Sequence, residues 1–156
     1  MTDNSHDRLR VRVLNGPNLN RLGLREPAIY GAKSLAAIDA ELLALGVTLG
    51  VDVTTFQTNA EAAYIEALHA AADERLDGLL LNPGAWTHTS IAIRDALLAA
   101  ALPAIEVHLS NVHAREPFRH HSTLADVVKG RVMGFGPESY GLALRGLVGI
   151  LRPVAT

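Results

Sequence analysis

"GLLLNPGAWTHTSIAIRDALLAAALPAIEVH", residues Gly78 to His108, decides the fold. Gly78 to Leu81 is a short, wholly apolar run. Ala104 to His108 is a second, interrupted only by Glu106 and His108. Between them, "THTSIAIRDALLAA" reads as a helix over about Thr89 to Ala100, with Thr87 or Thr89 available as its cap. Short, nearly all-apolar strands separated by helices indicate a parallel sheet covered on both faces.

The same alternation continues outward. Leu9 to Leu14 reads as a first strand. Ser34 caps a helix over Leu35 to Leu45 that Gly46 ends. Val47 to Phe56 is β-rich, with Val47, Leu49, Val51 and Val53 at period two. Thr58 to Glu61 has capping-box spacing and predicts a helix reaching about Ala72. Arg131 to Phe135 reads as the fifth strand, and Gly136-Pro137 starts a last helix to about Leu147. The expected fold is α/β: a flavodoxin-like three-layer sandwich with a five-stranded parallel sheet. No linker or repeat divides the chain. Residues 1–8 are expected to form a flexible polar segment, and residues 9–156 a single domain.

Composition narrows the function. The 156 residues are 49% hydrophobic, enough for a sizeable core, and the formal charge is -2. A broad nucleic-acid surface would need an excess of Lys and Arg, so none is expected. No cysteine is present, which excludes disulfides, thiolate metal sites and thiol nucleophiles. No apolar run approaches the ~18 residues of a membrane helix. The start of the chain lacks the apolar core of a secretion signal, and a cytoplasmic protein is the expectation.

In a doubly wound sheet, ligands bind beyond the C-terminal strand ends. The polar residues gather there. Asn15-Gly16-Pro17-Asn18 makes a turn after the first strand, with neither GxGxxG nor GxxxxGK[ST] spacing. Residues 20–31 can move as a lid. Tyr30, at its end, reads either as a packing anchor or as a base, and a base needs adjacent positive charge such as Arg25. Asn82 ends the third strand, and His88 lies at the start of the next helix, where anions are favoured. His88 also reads as an ordinary surface or capping histidine. Trp86 reads as a packing or oligomer-contact residue, and Tyr140 as a packing residue of the last helix.

Glu106 and His108 are two apart in a strand and share a face. A carboxylate in a buried strand is costly unless paired, and an imidazole pairs with it while having its orientation fixed. That arrangement serves a general acid, or else a structural pair. Asn111, His113, Arg115 and Arg119 crowd the following loop. His113, His120 and His121 lack HExxH spacing, and no metal or organic cofactor is expected. Asp39, Asp52 and Asp73 form no phosphoacceptor cluster. An acid and a base without nucleophile, metal or cofactor signature point to proton transfer: elimination, hydration or isomerisation.

Four blocks, "LNGPNLNRLGLREPAIYG", "LNPGAWTHTS", "IEVHLSNVHAREPFRHHS" and "GFGPESYGLAL", resemble type II 3-dehydroquinate dehydratase. The resemblance runs from about Leu9 to Leu147. It implies reversible anti dehydration of 3-dehydroquinate to 3-dehydroshikimate and water, with neither metal nor Schiff base. By resemblance, Tyr30 removes the C2 proton, Arg25 lowers its pKa, and Asn18 helps hold a water against the enolate. His108 protonates the departing hydroxyl, and Glu106 orients and charges His108. Asn82 with the backbone at Leu109 and Ser110 binds the carboxylate and a neighbouring oxygen, and His88 and Arg119 bind ring hydroxyls. Arg115 helps order the closed lid. Asp95 reaches a neighbouring subunit's site in a dodecamer of four trimers. The chain departs from the family at Ala60 and Ala62, where histidine and glycine are common, at Trp86, a frequent tyrosine, and at Ser139, a frequent glycine.

Overall fold

The computed structural model describes residues 8–24, 28 and 32–154. Five strands form one parallel sheet: β1 (Leu9–Asn15), β2 (Val51–Gln57), β3 (Gly78–Asn82), β4 (Ala104–His108) and β5 (Gly130–Met133). Their spatial order is β2-β1-β3-β4-β5, the doubly wound arrangement whose crevice opens where the order reverses. Among the described residues, four long helices cover it: α1 (Leu35–Leu49), α2 (Glu61–Asp73), α3 (Ile91–Ala100) and α4 (Glu138–Leu151).

Two cores form because strand side chains alternate between faces. Val11, Val13, Leu80, Ile105 and Val107 pack beneath α1 and α4, with Ile38, Leu42, Tyr140 and Leu144. Leu14, Leu79 and Leu81 pack beneath α2 and α3, with Tyr64, Leu68, Ile93 and Leu97. Burial of each such side chain contributes roughly 1.5–3 kcal/mol. Trp86 packs edge-on against Tyr64, with ring centroids 5.6 Å apart. The expected three-layer sandwich is the observed one. Among the described residues, no helix is long and apolar enough to cross a membrane.

Several boundaries differ from expectation. Gly46 does not end α1. It lies buried inside the helix, where an added Cβ would sit 2.7 Å from Val53 Cγ2 and 2.8 Å from the Val51 carbonyl oxygen. The helix continues to Leu49, and Gly50 caps it in the left-handed conformation at φ 67°. Val47 and Leu49, which extend the alternation of β2 in sequence, therefore belong to the helix, and β2 begins at Val51. The capping box does not form, because the cap falls on Ala60. Thr58 Oγ1 instead accepts the Ala60 N–H at 3.0 Å, and Glu61 accepts the Ser90 hydroxyl at 2.6 Å. Ser90 also caps α3, accepting the Ile93 N–H at 3.0 Å, so Thr87 and Thr89 are not the cap. β5 starts at Gly130 and ends at Met133, ahead of Gly134 at φ 93°. α4 runs one turn beyond Leu147. Ser139 is fully buried and its Oγ accepts the Phe135 N–H at 3.1 Å, closing the turn into α4.

Candidate active site

A cleft opens at the C-terminal edge of the sheet. Among the described residues it is lined by Asn18, Arg21, Asn82, His88, His108, Leu109, Ser110, Arg115 and Arg119, over an apolar floor including Leu19, Leu22 and Val112. Glu106 lies behind His108. The structure thus brings together eight of the expected site residues around one space and places a ninth in support. Asp95 is exposed on α3 and does not line the cleft. Arg25 and Tyr30, with half of the expected lid, lie outside the described residues.

The turn after β1 is tightly constrained. The Gly16 N–H donates to the Asn82 carbonyl at 2.8 Å, and a Cβ on Gly16 would lie 2.4 Å from the Pro83 oxygen, so only glycine fits. Asn18 follows with φ 69°, a left-handed conformation asparagine tolerates better than most residues. Its backbone N–H donates to Asn59 Oδ1 at 2.9 Å, and the same oxygen accepts from Gln57 Nε2 at 3.0 Å. The "QTNAEA" block thus holds the turn that presents Asn18.

Asn82 is fixed from below. Tyr140 on α4 is buried, and its hydroxyl accepts from Asn82 Nδ2 at 2.7 Å and donates to Asn15 Oδ1 at 2.6 Å. Asn15 and Asn82 face each other across the β1–β3 register, so one phenol secures both strand ends. Asn82 Oδ1 also accepts the Gly84 N–H at 3.2 Å. Burial raises the Tyr140 hydroxyl far above the usual tyrosine range, against the lowering effect of its bond to Asn82, so it stays protonated. Tyr140 is more than the packing residue expected: it sets which way the Asn82 amide faces.

His108 and Glu106 are the centre of the site. His108 Nε2 lies 2.7 Å from Glu106 Oε1, and Glu106 is fully buried. With Nε2 engaged, Nδ1 is the nitrogen left for a ligand. Glu106 Oε1 also accepts from the Thr87 hydroxyl, and Ser122 Oγ lies 3.0 and 2.9 Å from the two carboxylate oxygens. Arg131 Nε donates to Oε2 at 2.8 Å. Burial pushes the carboxyl upward, but the His108 bond and charge, the Thr87 bond and the Arg131 charge outweigh it and bring it to about 2. Glu106 is therefore ionised at any ordinary pH. In the sequence Thr87 is legible only as a cap, Arg131 only as the start of a strand, and Ser122 only as the end of a polar loop. Their one sequence signal is polarity beside predicted apolar elements.

His88 stacks on His108, with ring centroids 6.4 Å apart and planes at 15°. Its Nδ1 donates to the His121 carbonyl at 2.8 Å, which leaves Nε2 to accept from a ligand. Burial, and behind it the positive charge of His108 and Arg119, lowers its pKa despite the raising effect of the carbonyl bond, so the ring is neutral near pH 7. Arg119 is held by Glu116 through a 2.6 Å bond, and an Arg115 terminal nitrogen approaches Ser110 Oγ at 3.5 Å. Among the described residues, no group of three His, Cys, Asp or Glu could hold a metal ion. Histidine, amide and guanidinium groups on one concave wall suit a small oxygen-rich anion, and the histidine–carboxylate pair can deliver a proton to it.

Fold and site together define a doubly wound α/β enzyme built for proton transfer. Residues 9–148 match the model of the family described as "Dehydroquinase class II". A 3-dehydroquinate dehydratase of Methylococcus capsulatus is 56% identical over 135 residues, covering 86% of this chain and 91% of that protein. The crystal structure of a type II dehydroquinase from Propionibacterium acnes superposes with a TM-score of 0.86 at 46% identity, covering 90% of this chain and 98% of that one. A type II dehydroquinase from Butyrivibrio crossotus superposes with a TM-score of 0.89 at 39% identity, with the same coverage. The chain belongs to the class II dehydroquinase family, enzymes of the lyase class.

Proposed function

We propose that this chain catalyses the reversible anti dehydration of 3-dehydroquinate to 3-dehydroshikimate and water, with Tyr30 as base and His108 as acid. The observation that carries this reading is the Glu106–His108 pair, 2.7 Å apart, opening through His108 into the cleft. The C2 proton of the substrate lies beside a carbonyl, so its transfer to an ionised Tyr30 leaves an enolate. Arg25 stabilises that phenolate, and Asn18 directs a donor at the enolate oxygen where charge develops. The C1–O bond then breaks as the enolate collapses, and the proton of His108 leaves with the hydroxyl as water. Tyr30 has gained one proton and His108 has lost one, and exchange with solvent restores both.

Asn82, Leu109 and Ser110 hold the carboxylate and its neighbouring oxygen, and His88 and Arg119 hold ring hydroxyls. The neutral, stacked state of His88 supports an acceptor role toward a hydroxyl. Arg115 orders the closed lid. The acting form is a dodecamer of four trimers in which Asp95 reaches a neighbour's site, and its exposure on α3 is compatible with that role.

The test follows the ultraviolet absorbance of the conjugated enone on adding 3-dehydroquinate, with excess chelator present. Product formation at an unchanged rate, insensitive to borohydride, is expected. Failure to form product, or formation only with added metal, would overturn the reading. Tyr30→Phe lowers kcat by orders of magnitude, and an unchanged kcat would remove Tyr30 from the base role.

A further inference from the structure

We propose that Arg131 is a positioning residue that sets the proton affinity of His108 by sharing Glu106 with it. The inference rests on the reading of His108 as the acid. Glu106 and Arg131 are register partners across β4 and β5, so their side chains leave the sheet together on the α2–α3 side. Arg131 Nε is 2.8 Å from Glu106 Oε2, while His108 Nε2 is 2.7 Å from Oε1. Each oxygen of one fully buried carboxylate therefore answers to a different cation or potential cation.

The charge count distinguishes this site from a simple Glu–His pair. An isolated pair carries one negative charge, which protonation of the imidazole cancels. With Arg131 present the cluster is already neutral, and protonating His108 leaves it with a net positive charge in a buried place. The imidazolium is less stabilised and is the stronger proton donor, which suits the departure of a hydroxyl. Arg131 also fixes the carboxylate plane, because Oε2 is held from β5 while Oε1 meets the ring. The other groups facing His108 do not supply this control. His88, stacked from the turn before α3, is neutral near pH 7, and the Thr87 and Ser122 hydroxyls carry no charge. Arg115 and Arg119 line the cleft rather than the Glu106 carboxylate, and Arg119 is paired with Glu116.

The experiment titrates the His108 imidazole by NMR in the full chain, its signal assigned by its loss in H108N, beside the pH profile of kcat/KM. In R131Q the His108 midpoint rises by about one pH unit, as expected on removing a competing charge, and in R131K it stays near that of the parent. An unmoved midpoint in R131Q, a downward shift, or an equal rise in R131K would overturn the proposal. A rise in the NMR midpoint with no matching move of the alkaline limb of kcat/KM keeps Arg131 in this role and removes His108 as the acid. If R131Q does not fold, the unpaired buried carboxylate is the cause under this proposal, and E106Q/R131Q folds again. A double variant that also fails to fold would overturn it.

Discussion

Tyr140→Phe removes a single oxygen and tests how Asn82 is held. That oxygen takes a proton from Asn82 Nδ2 at 2.7 Å and gives one to Asn15 Oδ1 at 2.6 Å, and all three side chains are buried. Asn15 Nδ2 has no partner among the described residues, so the phenol is the one side-chain anchor of that amide. The substitution leaves a donor and an acceptor unpaired, each costing about 1–3 kcal/mol. Loss of the buried hydroxyl's own desolvation offsets a little of this. The vacated space is smaller than a water molecule, so solvent does not repair the network. The net loss is about 2–4 kcal/mol. In urea unfolding followed by circular dichroism, the midpoint falls by about 1–2 M at an ordinary slope. Asn82 keeps only the Gly84 N–H on its side chain and is held less firmly, so KM for 3-dehydroquinate rises several-fold while the pH profile is unchanged. A Phe variant with the parent's urea midpoint and KM would refute this account of the strand-end network.

Two further outcomes follow from the same structure. Glu106 is at about 2 in the folded chain against an ordinary 4.5. A depressed carboxyl contributes stability fully above its unfolded value and loses it as pH falls towards the folded one. Stability therefore drops by about 3 kcal/mol between pH 4.5 and 2, and E106Q, measured alongside by urea unfolding, lacks that part of the drop. Gly46→Ala sets a gain in helix propensity of about 1 kcal/mol against a new methyl 2.8 Å from the Val51 carbonyl oxygen. Backbone oxygen cannot swing aside, so overpacking of about 1–3 kcal/mol prevails. Calorimetry shows a lower melting temperature, and a higher one would mean α1 lifts from the sheet freely.

The legibility of the sequence follows its geometry. The strands β3 and β4 stand out because each is a short apolar run between turn residues, and the Glu106–His108 pair is visible because both residues sit on one strand two apart. The α1–β2 border is hidden, because Val47 and Leu49 continue the period of β2 backwards while Gly46 looks like a stop. Only contact with Val53 shows that this glycine is there for close packing. The cage around Glu106 is hidden for another reason. Thr87, Ser122 and Arg131 come from three separate segments and meet only through the sheet register and the loop after β4. Tyr140 is legible as a buried aromatic, but its bond to Asn82 joins residues 58 apart. The polar segment after β1 divides accordingly: Asn18 has its place at the cleft, while Arg25 and Tyr30 lie outside the described residues.

Asn15 and Asn82 leave the sheet on the side of α1 and α4, whereas Glu106 and His108 leave it on the side of α2 and α3. The cleft is a seam between two separately packed layers, and neither layer owns it. A refolding chain with one helical layer docked has half of the chemistry and none of the turnover. Enzymatic activity therefore requires both layers in place, and a substitution that loosens either helical layer reaches the cleft.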